Sequence, residues 1–269
     1  MGIPALGRVL PELPRIRRNT VKIAVCIKRV PDTATRLNFA SDGTSLDQSE
    51  VQWIISPYDE FAIEEGLRLK EKSGEGSVTV ITCGPSAATK ELRQALGMGA
   101  DDAVHIETEE DLDPIQTARC LAQVLESRGD DLVLFGRQSV DAQGAQMGSL
   151  VASLLGRPFA NNIAKLEIDG STVQIERDVD GGRETLEGTL PVVLGADKSL
   201  NEPRYPKLKD IMKAKKKPIE TIAAAAGEKA FETTAITPPP PRPEGRIVGE
   251  GPEAVEELIR LLREESKVI

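Results

Sequence analysis

Aromatic side chains are scarce in this chain of 269 residues, with Phe, Tyr and Trp together making up 3%. Single-stranded nucleic acid needs such rings for stacking, and a net charge of −9 opposes a polyanion, so nucleic acid is excluded as a general partner. Histidine occurs once, as His105 between Val104 and Ile106, where a ring buried in a strand is expected rather than a catalytic one. The three cysteines, Cys26, Cys83 and Cys120, form no CxxC and no zinc spacing, and each lies in or beside an apolar segment, which points to reduced, buried thiols. No apolar run is long enough to span a bilayer, so no integral membrane segment is expected. The first twenty residues contain Pro4, Pro11 and Pro14 and no apolar core, which argues against a secretory signal or an amphipathic targeting helix; a disordered extension over residues 1–20 or an over-long start is expected, with an organelle address as the lesser reading. A serine elbow, HExxH pair, Walker A loop, EF-hand and G-x-G-x-x-G fingerprint are all missing, so the chain is read as having no catalytic residues, no metal site and no standard dinucleotide site.

What is present is an alternation. The apolar content of 39% suffices for one large α/β domain with an appendage. Val21–Ile27 reads as a buried strand, and Ser56-Pro57-Tyr58-Asp59 as an N-cap, a first-turn proline and an acid at the third helical position, opening a helix to about Lys72. Ser77–Cys83 is the next strand, ended by Gly84-Pro85, and a helix follows from Ser86 to about Leu96. Asp102–Ile106 is a strand. Asp113-Pro114-Ile115-Gln116 repeats the capping logic for a helix ending at Gly129, before a strand at Asp131–Gly136 and a helix from about Gln143 to Leu155. The paired acids Asp101-Asp102 and Asp130-Asp131 read as solvated turn residues. Strands alternating with helices predict a parallel sheet covered on both faces by right-handed crossovers.

In such a sheet, ligands bind outside the carboxyl ends of the strands. Those ends carry Cys26, Ser56-Pro57-Tyr58-Asp59, Cys83-Gly84-Pro85 and the loop Gly136-Arg137-Gln138-Ser139-Val140-Asp141-Ala142-Gln143-Gly144-Ala145-Gln146-Met147-Gly148. The loop is rich in small residues and leads into a helix, so its backbone N–H groups suit a nucleotide phosphate. An ordinary glycine-rich turn fits the same spacing.

The stretch from Ile175 to Lys217 holds three further features. Val173, Ile175 and Val179, the turn Asp180-Gly181-Gly182, and the return through Thr185, Glu187 and Thr189 form a hairpin. Pro191-Val192-Val193-Leu194 is too apolar for a surface strand and enters the core. Beyond Pro203 and Pro206, the side chains of Leu208, Ile211 and Met212 fall at i, i+3 and i+4 among Lys207, Lys209, Lys213, Lys215, Lys216 and Lys217. This is either a helix packed on its own domain with a solvated lysine face, or an apolar knob in a basic collar built for docking. After Ile219 the run Ala223–Gly227 and the prolines Pro238–Pro241 read as a solvated tether, and Glu253–Lys267 as a helix with a stripe of Val255, Leu258, Ile259 and Leu262.

Arg177, Asp178, Asp180, Gly181, Gly182, Glu184, Pro191, Val192 and Val193 make a pattern that resembles the signature of the beta subunit of electron transfer flavoprotein. The runs Asn201-Glu202-Pro203-Arg204-Tyr205 and Ile211-Met212-Lys213-Ala214-Lys215-Lys216-Lys217 also match, and the resemblance extends back to about Val21. It implies a Rossmann-like fold of the adenine nucleotide alpha-hydrolase type over residues 21–222, with a recognition loop at about 197–218. It implies a heterodimer with an alpha subunit that mainly holds FAD, and a buried AMP at Cys26, Ser56, Pro57, Tyr58, Asp59, Cys83 and Gly136 to Met147. A class that bifurcates electrons holds a second FAD there. AMP-holding members often read Asn-Gln-Thr-Gly where this chain has Ala145-Gln146-Met147-Gly148, which is closer to the FAD-holding class; the acids and threonine preceding it in that class are Ala142, Gln143 and Gly144 here. By the same resemblance Asp178 faces the mobile flavin domain, and Leu208 enters a pocket on flavin dehydrogenases, with Tyr205, Ile211, Met212, Lys213 and Lys216 around it. Residues 223–269 would form a tether and a helix packing on the partner subunit. The implied role is an electron carrier between dehydrogenases, such as acyl-CoA dehydrogenases, and a membrane quinone oxidoreductase or other acceptor, in a bacterial cytoplasm rather than a mitochondrial matrix. A stand-alone adenine-nucleotide module resembling universal stress proteins is the alternative from another class.

Overall fold

The computed structural model describes residues 20–109, 111–241 and 244–269, so the expectation for residues 1–20 falls, Thr20 aside, outside the described residues. The chain divides into two units. The larger holds the residues up to Asn38 together with Leu46–Thr234, and the smaller holds Phe39–Ser45 and Ala235–Ile269. In chain order the elements are β1 (Lys22–Cys26), β2 (Arg29–Pro31), β3 (Asn38–Phe39), β4 (Leu46–Asp47), β5 (Trp53–Ile55), α1 (Pro57–Ser73), β6 (Ser77–Gly84), α2 (Thr89–Met98), β7 (Asp102–Glu107), α3 (Pro114–Arg128) and β8 (Leu132–Gly136). There follow α4 (Met147–Leu155), β9 (Phe159–Asp169), β10 (Thr172–Val179), β11 (Gly182–Thr189), β12 (Val192–Ala196), α5 (Leu208–Ala214), β13 (Glu220–Ala223) and α6 (Val255–Glu264).

Nine strands of the larger unit form one sheet in the order β11-β10-β9-β12-β8-β1-β6-β7-β13. From β9 to β13 every neighbouring pair is parallel, while β10 and β11 add an antiparallel hairpin at the far edge. The alternation of side chains along β1 sorts the core into two layers. Ile23 and Val25 join Ile63 and Leu67 of α1 and Leu92 and Ala95 of α2 on one face. Ala24 and Cys26 join Leu121 and Leu125 of α3 and Val151 of α4 on the other. Each such fully buried aliphatic side chain contributes roughly 1.5–3 kcal/mol. Gly66 lets α1 lie close to the sheet, since a Cβ there would stand 3.3 Å from Ile23 Cγ2 and 3.4 Å from Val25 and Val78. His105 is 1% exposed, with its Nε2 3.0 Å from the Gly84 carbonyl oxygen, as suits a structural ring.

Helix α3 begins as its sequence predicts. Asp113 accepts the N–H groups of Ile115 and Gln116 at 2.8 and 2.9 Å, and the Gln116 side chain accepts the Asp113 N–H at 3.2 Å. The paired acids differ from their reading as solvated turns. Asp101 Oδ2 accepts the Val78 N–H at 2.8 Å and Asp131 Oδ2 the Lys22 N–H at 2.9 Å, so each ties the start of a neighbouring strand.

Two strands of the large sheet escape the sequence reading, as do β2 and β5, which pair in a small sheet of their own. In β9 the residue Asn162 has φ 60°, and the register against β12 shifts at this point, so Ala160, Ile163 and Leu166 are buried at a spacing of three, which mimics a helix. Strand β13 pairs with β7 and takes in Ala223, the first residue of the run read as a tether. The following backbone runs along α3: Gln116 Nε2 donates to the Gly227 carbonyl at 3.0 Å and Arg119 to that of Glu228 at 3.0 Å, while Asp113 Oδ2 accepts the Ala230 N–H at 2.5 Å.

In the smaller unit, Asp42 accepts the N–H groups of Thr44 and Ser45 at 2.8 and 2.9 Å, forming a turn at Asp42-Gly43. Its helix α6 starts at Val255, after a short 3-10 turn, and leaves Val255, Leu258 and Ile259 exposed; Arg260 bridges Glu257 and Glu264 at 2.7 and 2.8 Å. Among the described residues no helix is long and apolar enough to cross a membrane.

Candidate functional site

From β1 the chain builds outward to β6 and β7 on one side, with α1 and α2 on one face. It then crosses the opposite face in α3 and returns to β8 on the other side of β1. The strand order therefore reverses between β1 and β8, the position in an open parallel sheet where a binding crevice is expected outside the carboxyl ends.

Asp59, in the first turn of α1, reaches into this crevice. Its Oδ2 accepts the N–H of Lys28 at 2.7 Å and its Oδ1 the N–H of Gly136 at 2.9 Å, so one carboxylate stitches the segments leaving β1 and β8. Burial pushes its carboxyl up to about 7, against the opposing pull of those two N–H groups and the Lys28 cation. The N-cap Ser56 departs from its expected role. Its hydroxyl makes no bond to the helix, is fully buried, and has no hydrogen-bond partner among the described residues. Such an orphaned donor calls for a partner from outside the chain.

The surrounding charges are arranged in pairs. Lys28 Nζ lies 2.6 Å from Asp141 Oδ2, and Arg137 Nη1 lies 3.1 Å from Asp197 Oδ1 with its guanidinium 5.2 Å from the centre of the Tyr58 ring. Asn161 Nδ2 donates to the Arg137 carbonyl at 3.1 Å. Beyond Asp141 the loop runs exposed to Gln146, and Gln143 and Ala145 have φ of 52° and 50°. Those left-handed residues cannot continue a helix, so α4 begins at Met147 and not at Gln143.

Cys26, Ser56, Tyr58, Asp59 and the stretch Gly136 to Asp141 are thus brought to one crevice, with Pro57 opening α1 beside them. Cys83 ends the adjacent strand on the α3 face. Burial raises the Cys26 thiol well above its ordinary value and pushes Cys83 up to about 12, with nearby Cys120 adding to it. A thiol raised in this way is a weak nucleophile. Lys28, Asn161 and Asp197 stand at this place too, and the sequence reading passes over them; for Lys28 and Asp197 a charge just after an apolar strand was the available signal, whereas Asn161, inside β9, had none.

The buried hydroxyl of Ser56, the carboxylate of Asp59 and the paired cations suit a polar small molecule bearing both hydroxyls and an anionic group. Gly136 shows how closely the elements meet: a Cβ there would fall 2.5 Å from Asp59 Oδ1 and 2.6 Å from the Tyr58 carbonyl carbon.

The arm after β12 has a different character. Tyr205, Leu208 and Met212 are 94%, 78% and 59% exposed, whereas Ile211, at 38%, lies against α2, where a Cβ at Gly97 would stand 3.6 Å from its Cγ1. Lys217 leaves the expected collar, since its Nζ donates to the carbonyls of Ala100 and Asp101 at 2.6 and 3.2 Å. Lys213 and Lys216 stay exposed. On the hairpin, Asp178 pairs across the strands with Arg183 at 3.0 Å, and Arg177 with Glu184 at 2.5 Å.

Residues 44–227 match the family model described as the electron transfer flavoprotein domain. The chain is 41% identical over 260 residues to the electron transfer flavoprotein subunit beta of Bacillus subtilis (strain 168), covering 93% of this chain and 100% of that protein. It is 36% identical over 256 residues to the protein of that name from Bradyrhizobium diazoefficiens, covering 93% and 100%. Against the Sus scrofa protein of the same name it is 37% identical over 258 residues, covering 92% and 99%. The sequence match runs along nearly the whole chain, which belongs to the electron transfer flavoprotein family, among its beta subunits.

Proposed function

We propose that this chain pairs with an alpha subunit in a heterodimer whose FAD, held mainly by alpha, takes electrons from flavin dehydrogenases and passes them to a membrane quinone oxidoreductase or another acceptor in the bacterial cytoplasm. The chain's own share is support of the flavin, structural binding of AMP and recognition of partners. The observation that carries the reading is the arm, where Tyr205, Leu208 and Met212 stand in solvent among exposed lysines on a chain of net charge −9. A small apolar anchor in a charged collar gives fast, short-lived encounters, as a shuttle requires. FAD supplies the electron chemistry when bound; this chain's residues position and recognise.

AMP would sit at the crevice between β1 and β8, with Ser56 and Asp59 toward its hydroxyl and amine groups and the N–H groups of the Gly136 to Met147 loop toward its phosphate. The stripe on α6 and the polar hairpin face around Asp178 are proposed as surfaces for the alpha subunit. Co-expression with an alpha subunit, followed by acid extraction and chromatography, tests the reading. One FAD and one AMP per heterodimer are expected. Two FAD and no AMP, with reduction by NADH, would replace it by the bifurcating reading, and a nucleotide-binding homodimer that ignores the alpha subunit would overturn it.

A further inference from the structure

The stems of the arm are bound by charge, while Tyr205, Leu208 and Met212 at its tip stand in solvent. At the first stem Arg204 donates its backbone N–H and its Nε to Glu64 Oε2 at 3.1 and 2.8 Å. Its Nη1 reaches Glu71 Oε1 at 2.5 Å, and its Nη2 spans Glu64 Oε1 at 3.1 Å and Glu71 Oε2 at 3.0 Å. Glu64 and Glu71 stand two turns apart on one face of α1, so a single guanidinium bridges both. Glu64 is 3% exposed; although burial opposes it, the Arg204 and Arg68 guanidinium groups hold its carboxyl below the usual range. Asn201 Nδ2 adds bonds to the Phe61 carbonyl and Glu65 at 3.0 and 2.9 Å. At the second stem Arg93 of α2 donates to the carbonyls of Ala214, at 2.7 Å, and Lys217.

A planar fork fixes direction, whereas an ammonium supplies only a point charge. The short α5 between the stems spans Leu208–Ala214; seven residues do not make a stable helix alone, so its orientation comes from the stems and from Ile211 and Ala214 packing inward. We propose that Arg204 is a positioning residue for partner docking: its fork across Glu64 and Glu71 sets the orientation of the Tyr205–Met212 tip before any encounter. Ordering of the tip then adds nothing to the cost of binding. This inference rests on the arm being the docking element.

The test compares co-purified heterodimers carrying Arg204→Lys, Glu71→Gln, Leu208→Ala and the Arg204→Lys/Leu208→Ala pair as substrates for a reduced acyl-CoA dehydrogenase. Arg204→Lys is expected to raise the KM for the carrier about tenfold at a nearly unchanged kcat, with flavin content retained. Glu71→Gln, at the solvent end of the fork, moves KM the same way and decides the matter if the lysine variant does not fold. In the double variant the lysine adds little to the Leu208→Ala defect, because an arm without its anchor has nothing left to aim. Unchanged KM in both fork variants, or effects that multiply fully in the double variant, would overturn the positioning role while leaving the arm's docking role intact. An unchanged KM in Leu208→Ala alone would remove both.

Discussion

Asp59 and Gly136 are joined across the reversal of strand order: Asp59 Oδ1 accepts the Gly136 N–H at 2.9 Å, and a Cβ on Gly136 would fall 2.5 Å from that same oxygen. Bond and space select the two residues together. The change Gly136→Ala is expected to cost about 1–3 kcal/mol, because the Tyr58 backbone on the other side cannot yield either. Thermal unfolding and nucleotide content of the purified heterodimer check it. A Tm equal to that of the wild type would refute the account.

The Asp59 carboxyl also makes stability depend on pH. Its folded-state value of about 7 lies above the ordinary 3.8, so between these values the folded protein keeps a proton that the unfolded chain releases. The contribution is fully present below the lower value, is lost as pH rises toward 7, and is flat beyond it. The slope is at most about 1.4 kcal/mol per pH unit. Asp59→Asn is expected to remove that slope, leaving the contributions of other carboxyls in place. Denaturant unfolding of both proteins across the window measures the difference, and parallel curves would sink the assignment.

Leu208 is 78% exposed, so its truncation leaves folding untouched. A single desolvated anchor in a small interface is worth about 2 kcal/mol, so Leu208→Ala is expected to lower kcat/KM with a dehydrogenase roughly thirtyfold at unchanged flavin content. Stopped-flow reduction of the carrier reads this directly.

The exposed lysines act on approach more than on residence. Association with a dehydrogenase is expected to slow as ionic strength rises, and replacing Lys213 and Lys216 by Gln to flatten that dependence. A salt slope identical in the two proteins would assign the steering to other charges.

Much of this was legible along the chain. Strands β1, β6, β7, β8 and β12 announce themselves as short apolar runs, and Asp113 with Gln116 writes out its own cap. The Ser56 motif has the same letters, yet Asp59 answers to backbone 31 and 77 residues away, which only sheet order brings near. Strand β9 hid because the irregularity at Asn162 spaces its buried residues like a helix. The start of α4 was misplaced because nothing in the letters of Gln143 or Ala145 marks a left-handed backbone. Lys217 looked like its lysine neighbours until the carbonyls of Ala100 and Asp101 claimed it.

Asp113 uses its two oxygens on different parts of the chain, Oδ1 on the first turn of α3 and Oδ2 on the N–H of Ala230. Between β13 and Ala230 the backbone is therefore pinned at both ends and, through the carbonyls of Gly227 and Glu228, along its length. Added residues there would cost those bonds before they changed the course of the chain through Ala230.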